Sequence, residues 1–150
     1  MTDSARALLV AGAALAIILV RLALVAVRAD PSSPARLVAE LRLAQFAAMM
    51  LTLDAGVYVG FALAQESTAG SGLDIALAVG FLVLASIAVT RDPGTALTLL
   101  ALAFAGHAGV DLLHGAGILP PESMPPWYAT ACAVYDVGVA GVCYFPRVYR

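Results

Sequence analysis

The chain has 150 residues, 62% of them hydrophobic and 12% charged, with a formal net charge of −2. Its mean hydropathy of +0.94 reflects far more apolar surface than one small water-soluble core can hide, so an ordinary soluble domain is excluded. No basic run is long enough to neutralise a string of phosphates, which excludes nucleic acid as a partner.

Five apolar runs occupy residues 7–27, 41–64, 73–89, 95–113 and 127–144. Each is near the roughly 17 to 25 residues that a helix needs to cross a bilayer. The expected fold is therefore all-α, a single transmembrane domain built as a polytopic bundle of five transmembrane helices. The first run follows Arg6 and ends near small residues at Ala29, which could pass for a cleaved signal peptide. Arg21 interrupts the run, however, and cleavage would place Arg36 and Arg42 against the charge rule, so it reads as a span with Arg21 snorkelling beside Arg28. Asp30, Pro31, Ser32, Ser33 and Pro34 break the chain after it.

The second run carries Asp54, Tyr58, Phe61 and Gln65 on one stripe, beside a small-xxx-small pair at Gly56 and Gly60. The third run is the shortest. Asp92 followed by Pro93 reads as an N-cap with a first-turn proline and predicts a helix start at Gly94 or Thr95. The fourth run sets His107, Asp111 and His114 on a single face, because steps of four and three residues return to one side of a helix. A proline-rich break from Pro120 to Pro126 precedes the fifth run, which opens with the interfacial pair Trp127 and Tyr128 and carries Cys132, Tyr135 and Asp136.

Arginine placement predicts an orientation. Arg28, Arg36 and Arg42 flank the first connection, Arg91 lies in the third, and Arg147 and Arg150 end the chain. The second and fourth connections hold acidic residues and neither Lys nor Arg. Positive segments stay cytoplasmic, which predicts an extracytoplasmic N-terminus, a cytoplasmic C-terminus and residence in the cytoplasmic (inner) membrane. Arg6 is the one dissenter, and Asp3 offsets it.

Ionisable groups inside hydrocarbon mark functional sites by default. At 1.5 Å per residue, His107 lies roughly 18 Å in from Thr95, Asp54 about 20 Å from Leu41, and Asp136 about 14 Å below Trp127, so three runs bring acid or imidazole to similar depth. Gly106, Gly109, Gly138 and Gly141 are expected to let the fourth and fifth helices approach closely and carry Asp136 toward His107. The candidate metal ligands are His107, Asp111 and His114, for a divalent ion such as Zn or Fe, with Asp54 or Asp136 completing the shell or acting as general base. His107 and His114 are separated by about 10 Å along the helix, too far for one ion to span comfortably. The alternatives are a proton relay or polar ligand site, and ion pairs that only hold helices together. Tyr58, Cys132 and Tyr135 are further pocket candidates. Cys132 and Cys143 are about 16 Å apart and cannot bridge. Two histidines on one helix disfavour an intrachain haem, and no HExxH, GxSxG or phosphate-loop motif occurs.

The residues His107, Asp111 and His114, followed by Pro126, Trp127, Tyr128, Cys132, Tyr135 and Asp136, resemble a pattern of an uncharacterised group of small bacterial multi-pass membrane proteins, H-x3-D-x2-H followed by P-W-Y and C-x2-[FY]-D. The resemblance covers the last third of the chain and implies a shared site. A remote similarity is to the seven-span membrane hydrolases of the alkaline ceramidase and adiponectin receptor type, which hold zinc with three histidines and an aspartate. With five runs and two histidines here, that similarity implies a carboxylate as third ligand. Two functions are therefore expected as alternatives. One is a metal-dependent membrane enzyme acting on a lipid-like or amphipathic substrate, with its site open to the extracytoplasmic half. The other is a proton-linked transport or binding module, or an accessory subunit of a membrane complex. Five short helices enclose little volume, which favours a homo-oligomer or a larger assembly.

Overall fold

Ser33 and Pro34 start the second helix seven residues before its apolar run begins. Pro34 occupies the first turn, where its missing N–H costs nothing, and the Ser33 hydroxyl accepts from the Arg36 N–H at 3.3 Å. The preceding turn is closed by Asp30, whose carboxylate accepts from both the Ser32 N–H at 2.8 Å and the Ser32 hydroxyl at 2.7 Å. Those bonds hold the Asp30 carboxyl below the usual carboxylate range.

The computed structural model describes residues 3–64, 71–119 and 126–149. Five helices are present among them: α1 (Asp3–Arg28), α2 (Pro34–Ala64), α3 (Ser71–Ala88), α4 (Pro93–Gly115) and α5 (Pro126–Val148). Gln65, most of the second connection, residues 120–125 and Arg150 lie outside the described residues. Helices α1, α2, α4 and α5 are long and apolar enough to cross a membrane, while α3 is a shorter apolar helix. Helix α4 packs against α2, α3 and α5, and α1 packs against α2 and α5.

Large apolar side chains cover the outside, and several ionisable ones lie inside. Val10, Ile17, Leu63 and Val134 are each about 70% exposed, whereas Asp111 and Asp136 are fully buried. The interior combines large side chains such as Leu43, Leu51, Leu97, Leu100 and Phe104 with alanines such as Ala47, Ala55, Ala78 and Ala129, whose small side chains let helices approach closely. A bundle in lipid needs this arrangement, because an outward Val or Leu there has nothing to gain from burial.

The start of α2 lies before the expected boundary at Leu41 because Arg36 and Glu40 turn inward as a pair. Arg36 Nε donates to Glu40 Oε1 at 2.7 Å, and both side chains are buried. The guanidinium also donates to the Pro146 carbonyl of α5 at 2.9 Å and the Val27 carbonyl of α1 at 3.4 Å. One side chain thus joins three helix ends. Arg36 was expected only as an orientation signal, and the structure makes it a clamp.

At α4 the capping follows the sequence closely. Asp92 accepts from the Thr95 N–H at 3.0 Å, and bonds from Thr95 keep its carboxyl ionised below the usual range. The other end, beyond the expected Leu113, closes with the Ile118 N–H on the Leu113 carbonyl and the Gly117 N–H on the His114 carbonyl. That double closure requires a left-handed residue, and Gly117 has φ +68°.

The glycines do not perform the task expected of them. A Cβ placed on Gly106, Gly109, Gly138 or Gly141 would meet nothing within 4 Å, and Gly56 and Gly60 are equally open. Gly138 and Gly141 instead line a shallow groove shared with Val20 and Ala23 of α1. The α4 and α5 faces turned inward carry alanines, Ala103 and Ala108 on one and Ala129 and Ala133 on the other. Periodicity alone cannot say which of two small-residue stripes faces the neighbour.

Candidate metal centre

His107 stands midway along α4 with its ring enclosed by two aromatic side chains. Phe81 of α3 meets it edge-on with ring centroids 4.6 Å apart, and Tyr58 of α2 does so at 4.9 Å. These contacts fix the plane of the imidazole. Its Nδ1 then lies 2.6 Å from Asp136 Oδ2 on α5 and 3.4 Å from Asp111 Oδ2, one turn along α4. The Tyr58 hydroxyl donates to Asp111 Oδ1, which orients that carboxylate from a third helix.

His107, Asp111 and Asp136 each present one ligand atom within 4.8 Å of the others, and all three are buried. Two ligands on a tetrahedral ion with bonds of about 2 Å sit roughly 3.3 Å apart, so the His107–Asp111 separation already fits and the His107–Asp136 pair must open by under about 1 Å. Asp111 Oδ2 and Asp136 Oδ1 are buried without a hydrogen-bond partner among the described residues. Buried carboxylate oxygens without donors are costly, and a cation satisfies them. The donor set of one imidazole and two carboxylates suits Zn²⁺ or Fe²⁺ and leaves coordination positions open.

His114 does not join this group. Its Nε2 lies 3.2 Å from Asp74 Oδ1 on α3, and both side chains are buried. The spacing H-x3-D-x2-H puts three residues on one stripe, but the stripe is long enough for its two ends to meet different helices. Tyr58 stands between them, its ring 6.0 Å from that of His114. Asp136, expected either as a ligand or as a base, stands within the group that could hold an ion.

Asp74 escaped the sequence reading. Placed in the first turn of α3, it reads as an acid complementing the helix dipole. Its only distinguishing signal is that a buried partner of His114 has to come from some neighbouring span, and the third run offers no other acid. The buried polar groups accordingly involve α3 as well as α2, α4 and α5, the three runs expected to bring acid or imidazole to similar depth.

The remaining candidates lie around a groove of about 500 Å³ between α1, α2 and α5, whose walls include Asp54, Cys132 and Tyr135. Asp54 is half-buried there, and its Oδ2 has no hydrogen-bond partner among the described residues. Cys132 is a buried free thiol, as is Cys143. The Tyr135 hydroxyl donates to the Gly12 carbonyl at 3.0 Å, tying α5 to α1. Tyr58 and Tyr135 are thus both engaged between helices, and Tyr58 in addition orients the Asp111 carboxylate. No protein-family model matches the chain, and neither curated proteins nor solved structures provide a match.

Proposed function

We propose that the protein is a five-span protein of the cytoplasmic membrane that binds a divalent transition metal inside the bilayer through His107, Asp111 and Asp136. The observation that carries this reading is the convergence of those three ligand atoms, from two helices, within 4.8 Å. A bound ion would supply Lewis acidity and lower the pKa of a coordinated water, the chemistry of a metal-dependent enzyme acting on a lipid-like or amphipathic substrate. In this reading α3 spans a thinned or locally short stretch of bilayer, with the N-terminus extracytoplasmic and the C-terminus cytoplasmic. The Arg36–Glu40 pair removes one arginine from the charge rule, and Arg28, Arg42, Arg91 and Arg147 still support it.

Elemental analysis of protein purified without chelator tests the metal directly. We expect close to one Zn or Fe per chain, falling by at least about tenfold in Asp136→Asn or His107→Ala. Wild-type protein free of stoichiometric metal after incubation with either ion would overturn the reading.

A second reading, a proton-linked transport or binding module, is favoured by one specific observation: the His114–Asp74 pair, with Tyr58 between the two histidines. Under it, metal-free protein in vesicles carries a pH-dependent flux that Asp74→Asn abolishes. A flux indifferent to that substitution removes it.

A further inference from the structure

The two grooves on the surface of α1 differ in one respect that selects between ligands. The smaller, about 330 Å³, is lined by Val20, Leu24, Val142 and similar apolar or glycine residues, with no charged side chain. Nothing in its lining distinguishes one hydrocarbon from another. The larger is also mainly apolar, with Leu8 and Leu15 of α1 and Leu53 and Val57 of α2 in its walls, but it contains the Asp54 carboxylate. Asp54 Oδ2 is buried without a hydrogen-bond partner among the described residues. At the end bearing the proline-rich connection, Trp127 and Tyr128 line the same groove. Its volume falls within the range that encloses one small ligand.

From this we infer that the groove between α1, α2 and α5 binds a single-chain amphiphile with a cationic amine headgroup, the ammonium donating to Asp54 and the chain lying along α1. The inference rests on the reading of this site as membrane-embedded and directed at amphipathic ligands. Charge complementarity selects the headgroup. Asp54 is the one carboxyl in a groove wall that supplies no Lys, Arg or His, and an ammonium brings both positive charge and several donors to its unpartnered oxygen. A neutral alcohol would satisfy the orphaned oxygen but not the charge. An anionic headgroup would be repelled.

Trp127 is the only tryptophan of the chain, so its fluorescence reports the groove without labelling. The test uses full-length protein in maltoside micelles at pH 7, with a terminally dibrominated dodecylamine as quencher and dodecylamine, dodecanol or dodecanoate as competitors. We expect saturable quenching at one probe per chain, with dodecylamine competing at least about tenfold better than either other compound. Asp54→Asn should reduce that preference to less than about twofold. Ala13→Phe, an exposed α1 position in the groove wall, should abolish saturable quenching while leaving every charged residue in place. Non-saturable quenching, equal competition by all three headgroups, an unchanged order in Asp54→Asn, or full binding to Ala13→Phe would each overturn the proposal. Running the series with and without chelator separates the two readings. Missing metal with intact amine selectivity sinks only the metal centre, and stoichiometric metal without amine selectivity sinks only the ligand.

Discussion

Tyr58 occupies the junction of the buried polar network, since its hydroxyl donates to Asp111 while its ring packs on both histidines. Tyr58→Phe keeps the ring and removes the donor. We expect a loss of about 1–3 kcal/mol in stability, because a buried acceptor is left without its donor, measured as a lowered midpoint in unfolding from mixed micelles. The two ends of the histidine stripe should also separate functionally. Asp111→Asn is expected to weaken metal binding by about tenfold or more, while His114→Ala leaves metal stoichiometry near wild type, with isothermal titration of Zn²⁺ as the measurement. A drop in both variants would place His114 back among the ligands.

At the scale of the helices, Arg36 is the most consequential contact, because it joins the ends of α1, α2 and α5 through hydrogen bonds and a buried pair with Glu40. Arg36→Ala removes the guanidinium from the buried Glu40 carboxylate and from the Val27 and Pro146 carbonyls, and the expected cost is about 3–5 kcal/mol. The paired change Arg36→Met with Glu40→Leu should recover most of it, since a well-packed apolar pair avoids the desolvation of two charges. Thermal unfolding of the two variants checks this: equal destabilisation would deny the clamp. Gly117→Ala forces an L side chain into the left-handed closure of α4 and should cost about 1–2 kcal/mol. The Asp92 cap gives a pH-dependent contribution of known sign. Its carboxyl is held below its ordinary value by bonds from Thr95, so the stabilisation is complete above the unfolded pKa and disappears as pH falls through the folded one. The protection factor of the Thr95 amide, the intrinsic exchange rate divided by the observed one at the same pH, should therefore fall in acid in the wild type and be low at every pH in Asp92→Ala.

For the whole molecule, the orientation inferred from arginine placement is open to direct test. Cys132 and Cys143 are buried, so with both replaced by Ala, single cysteines at Thr90 and Ile118 report the two ends of α4. A membrane-impermeant maleimide should label Ile118→Cys in intact cells and Thr90→Cys only after permeabilisation. Labelling at both positions from one side would remove α4 as a span.

Apolar run length and the breakers between runs determined the number, type and rough position of the helices, because a segment of about 20 apolar residues has few stable alternatives and Pro or Asx punctuation is local. Periodicity likewise put His107, Asp111 and His114 on one face of α4. What it could not determine is which neighbour each part of that face meets. The approach of Asp136 to His107 was legible from their similar depth, but only tertiary packing assigned Asp74 to His114, turned Gly138 and Gly141 toward α1 rather than α4, and drew Arg36 inward. Those outcomes depend on the rotation of each helix about its own axis, a quantity set by side-chain fit between segments distant in the chain and therefore absent from any single run of residues.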